Sequence, residues 1–150
     1  MTSSILQQIT CTARFCRFLY MENKKLTFYV VEDTTFYQQL IGRMLRQVGT
    51  ETIYFTSGEA AIKELLVRAP DLVILDYNLD GAMTGLDTLK AIRQHYPAVY
   101  GIVFSTRAEI NTDENIRRYG AFDFVEKNGE GFRILQQKIS HAIGFFEPEA

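Results

Sequence analysis

After Leu26 the chain alternates five times between two kinds of segment. One kind is short, apolar and rich in β-branched or aromatic residues, and the other carries apolar residues every three or four positions. The first pattern predicts buried strands and the second predicts helices. Alternation of this kind requires parallel strands joined by right-handed crossover helices. We therefore expect an α/β fold with a doubly wound, five-stranded parallel sheet and helices on both faces.

The helical segments have recognisable ends. Gly49 is expected to stop the first helix, Ser57 to cap the second, and Pro70 to prevent its continuation. Thr84 and Asp87 have the spacing of a capping box at the third helix. The expected inward-facing residues of the first helix (34–48) are Phe36, Leu40, Ile41, Met44, Leu45 and Val48. Those of the second are Ala61, Ile62, Leu65, Leu66 and Ala69. A weak fourth helix is predicted around Ile110 and Ile116, and a clear last one around 132–146.

Polar residues follow four of the predicted strands. They are Glu32, Asp33, Asp76, Ser105, Thr106 and Lys127. Because the carboxyl ends of parallel strands open on one edge, we expect these side chains to collect at one rim. A strand-ending aspartate such as Asp76 can instead cap the loop behind it, and that interpretation stays open from this segment alone.

The expected rim carries more negative than positive charge. Two carboxylates about 4 Å apart repel by about 4 kcal/mol at an effective dielectric near 20, and Lys127 alone cannot balance three of them. A hard divalent cation such as Mg²⁺ can, because it accepts carboxylate, carbonyl and water oxygens. Together with a hydroxyl group and Lys127, such a site suits phosphoryl transfer, with Asp76 as the in-line nucleophile.

Composition excludes several other classes. With 16 basic and 18 acidic residues, the net charge of −2 gives no reason to expect nucleic-acid binding through a basic surface. No apolar run approaches the roughly 20 residues of a membrane span. Cys11 and Cys16 are the only cysteines, so neither a disulfide framework nor a zinc site is indicated. A reducing, cytoplasmic setting is expected.

Residues 1–25 differ from the rest because they hold both cysteines and four of their five charges are basic. Arg14 and Arg17 interrupt the apolar part, which argues against a signal peptide. An amphipathic helix on a membrane or partner is one interpretation. The other is that Met21 is the natural start, which the intact mass of the native protein would decide.

The segments "VVED", "VILDYNLD", "IVFST" and "FDFVEK", in this order, resemble the receiver domain of bacterial two-component response regulators. The resemblance covers Leu26 to about Phe146 and implies a receiver domain at 26–146, with tails at 1–25 and 147–150. It also implies a flavodoxin-like sheet with strand order 2-1-3-4-5.

The resemblance implies roles for the rim residues. Asp76 matches the aspartate that accepts a phosphoryl group from a histidine kinase or phosphotransfer protein. The implied Mg²⁺ ligands are Glu32, Asp33, Asp76 and the backbone carbonyl of Asn78.

The implied phosphoryl-binding and switch residues lie on the last two strands. Lys127 matches the lysine that pairs with a phosphoryl oxygen. Ser105 matches the switch hydroxyl, and Thr106 is the alternative hydroxyl at this place. Phe124 matches the aromatic switch, although plain core packing is its other interpretation.

The chain departs from the family pattern at four places. Asn128 stands where a cis proline is usual, and a non-proline cis peptide costs about 2.5–4 kcal/mol, so the placement of Lys127 is left open. Thr106 replaces a smaller residue, Phe124 lacks a hydroxyl, and the loop "NLDGAMTG" lacks the common proline and is about one residue longer.

We expect a signalling switch rather than an enzyme that turns over a separate substrate. Because no second domain follows, its output is expected through contact with an unidentified protein. A homodimer is left open. One alternative is a degenerate receiver that binds partners without phosphorylation. Another is a phosphatase of the haloacid dehalogenase type, but Asn78 stands where that chemistry needs an acidic proton donor. His95 and His141 have no partner motif and are expected to be surface residues, not phosphodonors.

Overall fold

The computed structural model describes residues 25–106, 121 and 123–146. The described part forms a five-stranded sheet of order β2-β1-β3-β4-β5, in which every neighbouring pair is parallel. The strands are β1 (Thr27–Val31), β2 (Glu51–Phe55), β3 (Leu72–Leu75), β4 (Tyr100–Ser105) and β5 (Asp123–Glu126). The described helices are α1 (Thr35–Val48), α2 (Gly58–Glu64), α3 (Gly85–His95) and α4 (Gly131–Phe146). The predicted fold class and strand order are confirmed.

The helices pack on both faces of the sheet. Alternate residues of each strand point to opposite faces, so the central strands supply two separate apolar clusters. One cluster joins the sheet to α1 and α4 and includes Phe28, Ile41, Phe104 and Leu135. The other joins it to α2 and α3 and includes Tyr29, Ala61, Val103, Leu89 and Ile92. A sheet covered on both faces leaves the carboxyl edge of its strands open for a site.

The inward face of α1 is narrower than the sequence predicts. Ile41 and Leu45 are buried as expected, but Phe36 is 61% exposed and Val48 also lies on the surface. The expectation for Phe36 and Val48 was wrong because a step of four residues turns the helix by about 40° beyond a full turn. Over three such steps the stripe rotates out of the contact with the sheet.

The second helix is shorter than predicted. It ends at Glu64, and the next amides donate to carbonyls three residues back, as in Leu66 N to Lys63 O at 3.3 Å. This tighter winding turns Leu66 outward, so its side chain is 90% exposed rather than buried. The interpretation of Leu66 as a core residue was therefore wrong.

The predicted helix ends are otherwise confirmed. Gly49 ends α1 in the left-handed region at φ 74°, where glycine carries no Cβ penalty. Ser57 Oγ accepts from Ala60 N, and Thr84 and Asp87 form a reciprocal capping box. None of the helices that the structure describes has the length and apolar character needed to cross a membrane. The predicted helix around Ile110 and Ile116 and both tails, apart from Lys25, lie outside the described residues.

Candidate functional site

Backbone hydrogen bonds extend the sheet one residue beyond several strands and thereby position the polar residues at its rim. Glu32 N donates to Phe55 O, Asp76 N to Val31 O, and Lys127 N to Ser105 O, each at 2.9 Å. The three charged residues are therefore attached to the most buried part of the molecule. Their Cα positions are set by the sheet, not by the loops that follow.

Three carboxylates meet at this edge. One oxygen from each of Glu32, Asp33 and Asp76 lies within 4.8 Å of the other two. The backbone N–H of Asn78 donates to Asp76 Oδ1 at 3.3 Å, so the start of the next loop stays beside the cluster. All three side chains offer hard oxygen donors, and this donor set fits Mg²⁺.

Lys127 lies between two of these carboxylates. Its Nζ is 2.5 Å from Glu32 Oε2 and 2.8 Å from Asp76 Oδ2. Only 2% of the Lys127 side chain is exposed, so the pairs are shielded from solvent. The Lys127–Asn128 peptide bond is trans. The lysine therefore reaches the acidic cluster without the cis proline that is usual in the family.

Glu32 is the most deeply buried acid of the site, at 1% exposure. Burial raises the pKa of Glu32, because removing a carboxylate from water disfavours its charged form. Two contacts lower the pKa of Glu32 again. One is the ion pair with Lys127, and the other is the backbone N–H of Thr34, which donates to Oε1 at 3.1 Å. Glu32 thus depends on nearby positive groups to remain ionised.

The predicted switch residues occupy neighbouring strands. Ser105 is the last residue of β4 and is fully buried, whereas Thr106 lies just beyond the strand and is exposed. Phe124 on β5 pairs with Val103 and is partly buried against the α2–α3 side of the sheet. Alternation along β4 places Ser105 on the same face as Val103. Ser105 and Phe124 therefore share one face of the sheet, near its carboxyl edge.

The two histidines lie away from the rim. His95 is the last residue of α3, and a crossover helix runs back toward the amino edge of the sheet. His141 lies on α4, where its ring and that of Phe145 meet edge to face with their centroids 4.9 Å apart. The acidic cluster contains neither.

Two residues of α1 contact the site and were missed in the sequence. Gln38 Nε2 donates to the carbonyl of Glu32 at 2.6 Å, and the Tyr37 ring centroid lies 4.1 Å from Lys127 Nζ. The sequence feature that could have indicated them is their position in the first turn of α1, since this helix begins directly after the acidic pair. The spacing of apolar residues predicted that Phe36 faces inward instead, but Phe36 is exposed.

The loop after Asp76 is anchored from α2. Glu59 Oε1 accepts a hydrogen bond from Ala82 N at 2.9 Å, and Gly81 adopts a φ of 110° directly before it. Backbone N–H groups around the carboxylate lower the pKa of Glu59. The longer loop therefore has a defined attachment on α2, outside the acidic cluster.

Gly85 allows close packing behind the phosphoacceptor candidate. A Cβ at this position would lie 1.9 Å from the backbone oxygen of Asp76, and Gly85 N donates to Tyr77 O at 2.8 Å.

We expect Gly85→Ala to lower the free energy of unfolding by about 1–3 kcal/mol, because backbone atoms must shift. Urea denaturation measures the change. Gly129→Ala is the control, since nothing lies within 4 Å of a Cβ there, and an equal loss in both variants would contradict the packing argument.

The chain belongs to the response regulator receiver domain family, whose model matches residues 28–139. It is 34% identical over 114 residues to the luminescence regulatory protein LuxO of Vibrio campbellii, in a match that covers 76% of this chain and 25% of LuxO. It is 27% identical over 116 residues to the DNA-binding transcriptional regulator NtrC of Klebsiella pneumoniae, covering 75% of this chain and 24% of NtrC. The chain thus spans about a quarter of the length of these curated relatives.

Solved structures agree with the family assignment. NtrX from Brucella abortus superposes with a TM-score of 0.71 at 28% identity, covering 83% of this chain and 28% of NtrX. The chemotaxis response regulator CheY4 of Vibrio cholerae has a TM-score of 0.69 at 20% identity, covering 79% of this chain and 99% of CheY4. The second match shows the fold alone.

Proposed function

We propose that this chain is a phosphorylation-dependent switch of a two-component system. Asp76 accepts a phosphoryl group from a histidine kinase or phosphotransfer protein, with Mg²⁺ held by Glu32, Asp33 and Asp76 and by the backbone carbonyl of Asn78. The observation that supports this most is the meeting of three carboxylates and the buried Lys127 at the carboxyl edge of the sheet. The chain is a phosphoacceptor that promotes its own phosphorylation and dephosphorylation, not an enzyme with a separate substrate.

The transfer needs a nucleophile and a stabilised transition state. An oxygen of Asp76 forms a bond to phosphorus while the P–N bond of the donor phosphohistidine breaks, and the electron pair remains on the imidazole, which takes up a proton. The Lys127 ammonium, 2.8 Å from Asp76, is placed to neutralise a phosphoryl oxygen. Bound Mg²⁺ would supply further positive charge. The hydroxyl of Ser105, with Thr106 as the alternative, donates to another phosphoryl oxygen.

Phosphorylation is communicated to other proteins through direct contact. Movement of Ser105 toward the phosphoryl group opens space on the face that it shares with Phe124, so phosphorylation changes the packing of that face. An output protein, or a second copy of the chain, that binds the outer surface of β5 beside the partly exposed Phe124 completes the switch. Cytoplasmic location belongs to the same proposal, because the phosphodonor and the output protein must share one compartment with this chain.

Removal of the metal tests the proposed function. Purified protein incubated with phosphoramidate and Mg²⁺ should gain the mass of one phosphoryl group, and chelation of Mg²⁺ with EDTA should slow this gain by about 100-fold or more. Intact-protein mass spectrometry measures both rates.

Two other outcomes would favour the alternatives. A folded protein that gains no phosphoryl group with Mg²⁺ present would support a degenerate receiver. Continuous hydrolysis of p-nitrophenyl phosphate would support a phosphatase.

A further inference from the structure

Tyr37 touches the site through a contact that the proposed chemistry does not use. It is the third residue of α1 and therefore follows the acidic pair closely. Its ring lies under the Lys127 ammonium, with Nζ 4.1 Å from the ring centroid. The ring of Phe104 is a second, more distant neighbour of Nζ, at 5.6 Å.

The contacts of Lys127 account for its three N–H donors. Glu32 Oε2 and Asp76 Oδ2 accept two of them, at 2.5 and 2.8 Å. The face of the Tyr37 ring is left for the third, since an aromatic face attracts a cation within about 6 Å of its centroid. The attraction is stronger where water is excluded, and only 2% of the Lys127 side chain is exposed.

The Tyr37 ring is itself held by other rings. It stacks on Phe132 of α4 with an interplanar angle of 17°, and it meets Phe104 of β4 edge to face at 89°. The centroids are 6.2 Å apart in both pairs. Because two different elements fix the ring, it offers Lys127 a rigid surface.

Lys127 needs such a surface because its other contacts change during the proposed reaction. The backbone bond from Lys127 N to Ser105 O fixes the Cα, but the four-carbon stem of lysine is flexible. In the proposed reaction Glu32 would bind the metal and an oxygen of Asp76 would bond to phosphorus, so both carboxylates would change partners. The ring does not take part in that exchange and stays beneath the ammonium.

We propose that Tyr37 is a positioning residue, whose ring face holds the Lys127 ammonium at the phosphoryl position while the carboxylates change partners. The consequence for transfer rate rests on the proposed function. The contact itself does not, and this makes the two separable by experiment.

The test compares Tyr37→Leu, Tyr37→Phe and the control Phe36→Leu. Phe36 is the adjacent aromatic residue of α1, with its centroid 5.4 Å from that of Tyr37, and it is 61% exposed. We expect Tyr37→Leu to slow phosphorylation by phosphoramidate at saturating Mg²⁺ by about tenfold, whereas Tyr37→Phe and Phe36→Leu stay within about twofold of the wild type. The Mg²⁺ affinity should stay within about twofold in all three, because Tyr37 is not a ligand.

A spectroscopic readout tests the contact directly. In NMR spectra of the wild type and of Tyr37→Phe, the Lys127 protons next to Nζ should be shifted upfield by the ring current, and Tyr37→Leu should lose that shift. If Tyr37→Leu fails to fold, a fluorinated phenylalanine at position 37 keeps the shape but weakens the negative ring face, and it should slow transfer as Leu would.

The results distinguish three cases. Equal rates in the wild type and Tyr37→Leu, or an unchanged Lys127 shift in Tyr37→Leu, would overturn the positioning proposal and leave the proposed function intact. A proportional loss of Mg²⁺ affinity would also overturn it, since the defect would then be general damage to the site. A wild type without phosphoryl incorporation would refute the proposed function, and the Lys127 shift would then decide whether the contact exists.

Discussion

Asp76→Asn should abolish phosphoryl incorporation, with a rate more than about 1000-fold below that of the wild type. The amide has nearly the shape of the carboxylate and can still accept a hydrogen bond from Lys127, so the fold should be retained. It cannot supply the anionic oxygen that attacks phosphorus. Intact-protein mass spectrometry after incubation with phosphoramidate and Mg²⁺ measures the difference.

Asp80→Asn is the matched control for this experiment. Asp80 lies on the same loop, four positions after Asp76, but it is exposed and outside the acidic cluster. The Asp80→Asn variant should be phosphorylated at the wild-type rate. Incorporation that persists in Asp76→Asn would show that another residue is the acceptor, and an equal loss in both variants would point to damage of the loop.

Lys127→Met should destabilise the protein and slow its phosphorylation. In the absence of Mg²⁺ we expect the free energy of unfolding to fall by about 3–5 kcal/mol, because the buried Glu32 would lose its partner and would have to hold an unpaired charge or take up a proton. Adding Mg²⁺ should restore part of this loss, since a ligand that binds only the folded state stabilises it. The phosphorylation rate should fall by about 100-fold or more, because the ammonium no longer neutralises a phosphoryl oxygen.

Lys138→Met provides the comparison for Lys127→Met. Lys138 also pairs with an aspartate, Asp123, at 2.7 Å, but its side chain is 40% exposed. An exposed pair contributes about 0–1 kcal/mol, so urea denaturation should give a change of this size. Equal stability losses in the two variants would contradict the view that the burial of Glu32 makes the Lys127 pair important.

The strand order and the rim could be predicted because both follow from local patterns. Five apolar runs define the strands, and parallel connection forces their carboxyl ends to one edge, where Asp76 and Lys127 must then lie. The structure adds the distances that no pattern contains. Lys127 and Glu32 are 95 positions apart in sequence, and their ion pair depends on the packing of the whole sheet.

The contribution of α1 to the site could not be predicted, because it depends on rotation of the helix about its axis. Apolar spacing placed Phe36 inward, yet the orientation set by Ile41 and Leu45 brings Tyr37 and Gln38 to the rim instead. The early end of α2 had a similar cause, since the change to tighter winding before Leu66 leaves no mark in a pattern of apolar residues.

The central claim is that Asp76 carries the phosphoryl group, and chemical mapping of the modified residue tests it most directly. Borohydride reduces an aspartyl phosphate to homoserine, which tandem mass spectrometry locates in a proteolytic digest. The account predicts homoserine at position 76 alone, and far less of it after the same incubation time when Mg²⁺ was chelated during phosphorylation. Homoserine at Asp33 or at any other position, or its absence from a protein that has gained a phosphoryl group, would contradict it.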